Sequence, residues 1–586
     1  MAIRAQRQTV AFDAPRGQVI LTVSASTPLR ERLWNLLPIS LSLFLASAAF
    51  WGPYRAPQVL AVGIVAFFAY WLVRSYAVAV SCVIGLHRIK KWKATNWLAK
   101  YCEWLPGHPG AEQWHWPRHM VIIPNYKESE EGLSRTLDGL AAQGNARQLV
   151  IVMAMEAREP EARAKATRLV TRYRTHFAEM FATYHPAGLP NETPGKGSNE
   201  AWAAREAHIH LIENGGDDIG RYTVTSCDAD AVFHPNHFEA LNYLFLTAED
   251  RYRTFWQPTI FNSNNIWDIP APLRIMDGLS GINRLSNLVM PGSVKFPTSC
   301  YSLSWQMLNQ VDYWDEEVIP EDWHIYMKCC FTLGDRVHVE GLYLPLGNDC
   351  VLTDSYIKTM KAHYAQSVRH AWGASDIPYA WRSGFNKQSP LGKKRKFLLA
   401  GAVTKVHSLW VSQWYIITLG NLFPIMATKY LGAKMPEWWT NPLGAFPGPT
   451  WRIGEMARGD FSNPVGGMMN LNPAGALVYF CLLPLIAMII IEWRVRPPRP
   501  DYVSRKAAWA QLLVWPLMAP ITFFFASLPA LNAQLKLASG TGLIYRVAEK
   551  GSRVHHLPVP AGIVAAVSAA SQDHGGDPVG AAGGGA

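Results

Sequence analysis

Two nearly uninterrupted apolar runs, residues 34–50 and 59–84, open the chain, each about the length a helix needs to cross a bilayer. Gly52, Pro53, Tyr54 and Arg55 separate them, so the pattern predicts a transmembrane hairpin over 34–85 behind an N-terminal segment, 1–33. That segment carries Arg4, Arg7, Arg16, Arg30 and Arg32, and Arg88, Lys90, Lys91 and Lys93 follow the second run. Basic residues on both flanks place both ends, and whatever comes next, in the cytosol. A second apolar run directly after the first is unlike a cleavable leader, so the first is expected to stay as an anchor. Arg74, inside the second run, is expected to face a neighbouring helix or to snorkel to the interface.

From 104 to 382 the texture changes. Short apolar runs at 120–124, 148–153 and 222–227 end in polar residues and alternate with helical patterns, which predicts a parallel, doubly wound α/β sheet with its chemistry at the carboxyl ends of the strands. A basic linker (Lys387, Lys393, Lys394, Arg395, Lys396) then leads into the interfacial and transmembrane part, 383–530, with apolar runs at 397–426, 475–491 and 509–525. The Pro/Gly/Trp-rich stretch 436–473 reads as a non-cytosolic loop, and Arg494, Arg496, Arg499 and Arg505 mark a cytosolic return. Pro516, Pro520 and Pro529 interrupt the last run, and an even number of crossings is favoured over five. The Ala/Gly-rich tail, 557–586, is expected to be unstructured.

Composition sharpens this division. A hydrophobic share of 49% beside 17% charged residues suits a soluble core joined to a membrane part. The net charge of +11 comes largely in clusters beside apolar runs, which points to an anionic membrane surface. Nucleic acid is not indicated, because no basic stripe with interleaved aromatics appears. The eight cysteines have no metal-ligand spacing and read as reduced thiols.

The polar residues at the strand ends carry the candidate chemistry. The stretch 223–231 reads as a strand ending in Asp228 and Asp230, carboxylates able to share one divalent cation with a nucleotide diphosphate. Such a pair also occurs in solvated turns, and its neighbours give it weight. Tyr126 offers a stacking face, and Glu128 and Glu156 offer acceptors for a base or ribose hydroxyl. Lys196 and Asn199, opening a helical stretch, suit a diphosphate; the spacing is not that of a Walker loop, which excludes an ATPase reading. Glu321 and Asp322 precede another helix, where the dipole alone favours acids, and Asp322 is the candidate general base for sugar transfer. Gln366, Arg369, His370 and Trp372 supply an arginine for a diphosphate and an aromatic to cover a sugar, or simple helix packing.

In order and spacing these residues resemble the inverting family 2 glycosyltransferases, specifically the membrane-embedded cellulose, hyaluronan and chitin synthases and ceramide glucosyltransferase. The matching positions are Tyr126 and Glu128, Glu156, Lys196 and Asn199, Asp228 and Asp230, Glu321 and Asp322, and Gln366 and Arg369, spanning roughly 120–372. The resemblance implies a GT-A fold for a cytosolic domain at 104–382, a UDP-sugar donor, Mg²⁺ or Mn²⁺, and Asp322 as catalytic base. Two departures stand out: Glu156 replaces the usual aspartate, and His370 replaces the tryptophan that stacks beneath the acceptor, with Trp372 two residues on. Trp323, beside Asp322, offers an alternative acceptor surface. Residues 545–550, within the segment 531–556, resemble a gating loop that closes over bound UDP, with Lys550 as a donor contact. The implied function is a processive hexosyltransferase that polymerises a sugar with inversion and passes the glycan across an inner or plasma membrane. Single transfer to a lipid acceptor is the alternative, and an inactive membrane scaffold or transporter a third. The implied partners are the UDP-sugar, a growing glycan or lipid acceptor and membrane lipids.

Overall fold

The computed structural model describes residues 8–13, 18–23, 29–440, 477, 480–541 and 544–545. The tail 557–586 and Lys550 lie outside them, as do most residues of the stretch 436–473.

The predicted hairpin forms helix α1 (Leu29–Arg55) and helix α2 (Pro57–Lys93), with Ala56 alone between them. Pro57 starts α2, where its missing N–H costs nothing. Among the described residues three helical stretches are long and apolar enough to cross a membrane: Arg32–Arg55, Pro57–Lys93 and Arg505–Ser539. Along α2, Val59, Val62, Val73 and Val80 point away from the protein, an outward apolar face suited to lipid. The remaining two runs differ from expectation. Residues 397–426 fall in a helix of spanning length, Lys393–Tyr430, that Lys405, His407, Ser408, Ser412 and Gln413 make too polar to qualify. The described part of 475–491 contributes to the shorter helix Leu482–Val495. The prolines of the last run leave its path helical, through 3₁₀ and π turns at Gln511–Leu517 and Phe523–Ser527.

Between these apolar helices in the chain lies an α/β domain. An N-terminal hairpin, β1 (Gln8–Asp13) and β2 (Gln18–Val23), stands apart in a small sheet. The main sheet comprises β3 (Arg118–Asn125), β4 (Leu149–Glu156), β5 (Glu179–His185), β6 (Tyr222–Ser226), β7 (Val232–Phe233), β8 (Thr254–Asn262), β9 (Tyr301–Ser304) and β10 (His338–Asn348). Its order is β5-β4-β3-β6-β9-β8-β10-β7. The half β5-β4-β3-β6 is parallel, as expected, and β3 and β4 are buried almost throughout because helices cover both faces. Beyond it the sheet is mixed: β9 runs antiparallel to both β6 and β8. This is the GT-A arrangement, a Rossmann-like half sheet extended by mixed strands. The chain steps from β3 out to β4 and β5, then returns to the other side of β3 with β6, leaving a crevice at the carboxyl ends of β3 and β6 where such sheets bind ligands.

The hairpin docks on this domain through helix Ala271–Val289 and β10. Arg74 donates to Asn287 Oδ1 at 3.2 Å, so the charge within α2 faces a neighbouring helix. Arg88 donates to the Tyr343 hydroxyl at 2.6 Å. At Gly85 an added Cβ would lie 2.6 Å from Leu285 Cδ1, and Leu285 is itself buried. Gly85→Val is therefore expected to destabilise the protein by about 1–3 kcal/mol through overpacking, measurable as a lowered thermal midpoint in detergent.

Candidate active site

The crevice floor begins where β3 ends. Lys127 holds a left-handed backbone, φ 68, and its N–H donates to Glu159 at 2.9 Å, which turns the chain sharply beside Tyr126. The Tyr126 N–H donates to the Glu128 carboxylate, and the Arg158 guanidinium lies 4.2 Å over the Tyr126 ring. At the end of β4, Glu156 is buried and pairs with Arg158 at 3.0 Å and His185 Nδ1 at 3.3 Å. His185 also meets Glu192 at 2.5 Å; burial opposes its charge, but the two carboxylates outweigh burial and lift it to about 9. Tyr126, Glu128, Glu156 and Arg158 thus form one patch at the ends of adjacent strands.

The helix Lys196–Ala207 brings the next group. Ser198 Oγ closes its first turn, accepting from the Gly195 N–H at 3.0 Å. Asn199 is buried and donates to the Ala154 carbonyl at 2.9 Å, so it clamps the helix to β4. Lys196 Nζ lies 3.2 Å from Asp228, 3.4 Å from Glu321 and 3.7 Å from Asp322, and donates to the Ser299 carbonyl at 2.6 Å. Burial opposes its charge, yet the acids around it, including the fully buried Glu200, hold its pKa well above the usual lysine value. Gly197 permits this gathering: a Cβ there would come 2.9 Å from Glu321 Cβ.

Asp228 and Asp230 follow β6 directly. Asp228 Oδ2 accepts from Asn348 Nδ2 at 3.1 Å and from the Ser299 hydroxyl; Asp230 Oδ2 accepts from the Asp349 N–H at 2.7 Å. Both carboxylates therefore converge on the corner at the end of β10. Ser299, with left-handed φ 61, also donates its N–H to Asp322 Oδ2 at 2.6 Å, bridging the Asp-x-Asp and the Glu-Asp. Asp349 is tied in turn to Arg135 at 2.6 Å and Asn264 at 3.0 Å.

Glu321 and Asp322 open the helix Glu321–Leu333. Burial, and for Glu321 the neighbouring Asp322, raise both acids against the pull of Lys196, Glu321 to about 7. Two residues on, His324 anchors the helix: Nδ1 meets Asp376 at 2.6 Å and Nε2 meets Asp315 at 2.9 Å, while Lys328 pairs with Asp315 at 2.5 Å. Burial opposes its charge, but the aspartates lift His324 to about 9. Trp323 stacks on Phe296 at 4.3 Å, with His407 edge-on at 5.6 Å and Trp410 6.0 Å beyond it.

Gln366, Arg369 and His370 lie on the helix Tyr356–Ala371. Gln366 and Arg369 are half-buried and His370 is exposed. Arg369 and Arg284, the latter on helix Ala271–Val289, are close enough to act electrostatically on His370, and Arg284 also feels the Asp228 charge. At Trp372 the helix tightens into a 3₁₀ turn, Trp372–Ser375, and Trp372 is buried in the core with Val368, Ala371 and Ala533, a cluster against which Trp323 and Trp410 also pack. Tyr545 is in a short strand, Ile544–Tyr545, paired with β2. The sequence reading did not find Ser299, Asn348, Glu200 or Arg284. Only the position of Ser299 before a short apolar run, and the polar end of the run forming β10, carried any signal.

Residues 223–446 match the model of the glycosyl transferase family group 2. The match begins at β6, takes in Asp228, Asp230, Glu321, Asp322, Gln366 and Arg369, and supports a family 2 glycosyltransferase over this part of the chain. A mannosyltransferase from Pyrobaculum calidifontis, solved with GDP-Man and Mn²⁺, is 14% identical, with 77% of this chain and 99% of that one covered at a TM-score of 0.34. Glucosyl-3-phosphoglycerate synthase from Mycobacterium tuberculosis, solved with phosphoglyceric acid, is 11% identical, with 47% and 88% covered at 0.26. No curated protein matches the sequence.

The His324 clamp sets a pH dependence. Its folded pKa, about 9, lies above the ordinary 6.5, so its stabilisation is complete below about 6.5 and is lost as the pH rises through about 9. Chemical denaturation across this window is expected to show a loss on the order of 3 kcal/mol, which His324→Gln removes by lowering the acid end of the curve.

Proposed function

We propose that the chain is a membrane-embedded inverting glycosyltransferase that polymerises a sugar from a UDP-sugar donor and passes the glycan across the inner or plasma membrane, with the domain at 104–382 in the cytosol. The observation that carries the proposal is the convergence of Lys196, Asp228, Glu321 and Asp322 through Ser299 at the crevice between β3 and β6. It brings a cation for a diphosphate and a carboxylate base into one place, beside an aromatic surface.

In this reading the Tyr126 face and the acids Glu128 and Glu156 hold the nucleoside. Lys196, Gln366 and Arg369 hold the diphosphate, and Asn199 positions Lys196 by fixing its helix to β4. Asp322 takes the proton from the acceptor hydroxyl as that oxygen attacks the anomeric carbon opposite the leaving diphosphate, which inverts the centre. Glu321 and Lys196 set the charge around that base. Asp228 and Asp230 fit Mg²⁺ or Mn²⁺ by chemistry: they are hard oxygen donors converging on the same corner of β10. Among the described residues no three His, Cys, Asp or Glu side chains group as a complete metal cage, so the ion would be shared with the donor's diphosphate. When bound it would neutralise charge on the departing nucleotide.

The file Phe296, Trp323, His407 and Trp410 leads from Asp322 to the helix Lys393–Tyr430 and supports a growing glycan as acceptor, since sugar faces stack on such rings. Single transfer to a lipid is the second reading, favoured by His370 at the usual tryptophan position and by the burial of Trp372. Lys550 as a donor contact lies outside the described residues.

Asp322→Asn is expected to lower kcat by about 10²–10⁴-fold with donor KM little changed, as read from UDP release. Because burial raises Asp322, the rate should fall on acidification from a pH above the ordinary carboxylate range. Incubating the purified protein with UDP-glucose, UDP-N-acetylglucosamine, UDP-galactose and UDP-glucuronic acid should yield long polymer with one of them. Lipid-dependent single addition with no polymer would establish the second reading instead.

A further inference from the structure

Away from the catalytic crevice, the apolar helix Leu482–Val495 and the apolar stretch Arg505–Ser539 are joined by the turn 496–504. A pocket of about 430 Å³ opens beside this turn. It is walled by Trp267, Trp493 and Trp509 and by Arg496, Arg499 and Arg505. This volume falls within the roughly 300–1,000 Å³ of sites that hold small ligands.

The walls are built rather than incidental. Arg496 is nearly buried, pairs with Glu492, donates to Gln511 at 2.8 Å, and lies 5.6 Å from the Trp267 ring and 5.4 Å from the Trp493 ring. Trp267 is fixed by its indole N–H, which donates to the Pro497 carbonyl at 3.1 Å, and Trp493 stacks with Trp509 at 5.7 Å. Glu492 balances Arg496, whereas Arg499 spends its hydrogen bonds on the Pro500 and Val503 carbonyls and keeps its positive charge. Arg505 is exposed, and among the described residues no hydrogen bond or ion pair holds its guanidinium. Nearby, Arg274 adds positive charge beside Arg496, while Asp268 is occupied by the Tyr502 hydroxyl at 2.7 Å. The result is an aromatic pocket with surplus cationic charge at the turn between two apolar helical stretches, which on the membrane reading is the level of the lipid headgroups. Tryptophan belongs at that depth, and arginine there meets phosphate in a geometry it recognises with paired donors.

We propose that this pocket binds the phosphodiester headgroup of an anionic membrane phospholipid. Arg499 and Arg505 take the phosphate, and Trp493 and Trp509 cover the glycerol backbone. The inference rests on the membrane reading above and adds to it a defined site independent of glycosyl transfer.

The test uses the full chain in neutral detergent, with dihexanoyl phosphatidylglycerol, dihexanoyl phosphatidylcholine and inorganic phosphate as separate titrants, read by tryptophan fluorescence and thermal midpoint. Phosphatidylglycerol should give a saturable change and a raised midpoint. Arg505→Gln should weaken it roughly fivefold, the contribution of one basic residue near a lipid surface, and Arg505→Lys should restore most of it. Arg505 is exposed, so circular dichroism of the ligand-free variant should match wild type. An equal response to phosphatidylcholine, or one that Arg505→Gln leaves intact, would overturn the site. Saturation by inorganic phosphate at the same concentration would overturn the lipid assignment. Flotation with phosphatidylcholine vesicles separates the two levels: a chain that fails to float overturns the membrane reading itself, whatever the headgroup preference.

Discussion

One ammonium group governs the crevice at the carboxyl ends of β3 and β6. Lys196 Nζ lies within 3.2, 3.4 and 3.7 Å of three carboxylates, Asp228 from one part of the chain and the neighbours Glu321 and Asp322 from another. Gathered out of bulk water without it, those acids would repel one another and take up protons; with it, a mixed charge cluster persists. The local structure serves that contact. Asn199 fixes the lysine's helix to β4, Gly197 lets the helix come up against Glu321, and Ser299 accepts a left-handed backbone to bridge Asp228 and Asp322. The same cation that gathers these acids is the one that, in the proposed function, meets the donor's diphosphate.

Strand β10 is one of the elements that tie this crevice to the apolar hairpin. β10 accepts Arg88 of α2 at Tyr343 and, at its far end, presents Asn348 to Asp228 and the Asp349 N–H to Asp230. The Gly85 contact with Leu285 and the Arg74 bond to Asn287 hold α2 against the helix that carries Arg284. The hairpin is therefore part of the scaffold of the site as well as an anchor.

What the sequence disclosed follows from which interactions are local. Strands β3, β4 and β6 announce themselves as short apolar runs with polar ends, and the acids at those ends are visible because helices and strands begin or stop there. Strand β9 is four residues, too short for its alternation to mark a strand or its direction; its antiparallel place depends on β6 and β8 on either side. Ser299 and Asn348 were illegible for the same reason, since their roles exist only once β9 and β10 are brought beside β6. The burial of Trp372 was not legible either, since it depends on Val368, Ala371 and Ala533 packing round it. The helix Lys393–Tyr430 reads as a span by length, but three of its polar residues, His407, Ser408 and Ser412, are buried against protein.

The close approach at Gly197 has a consequence for inheritance. In any random library of this gene, position 197 should be almost closed to change, because even one extra carbon collides with Glu321 Cβ and displaces the acid next to Asp322. The residue with no side chain would then be as strictly selected as those that carry the charge. It would drift only alongside compensating change at position 321, a pairing detectable among survivors before any chemistry was measured.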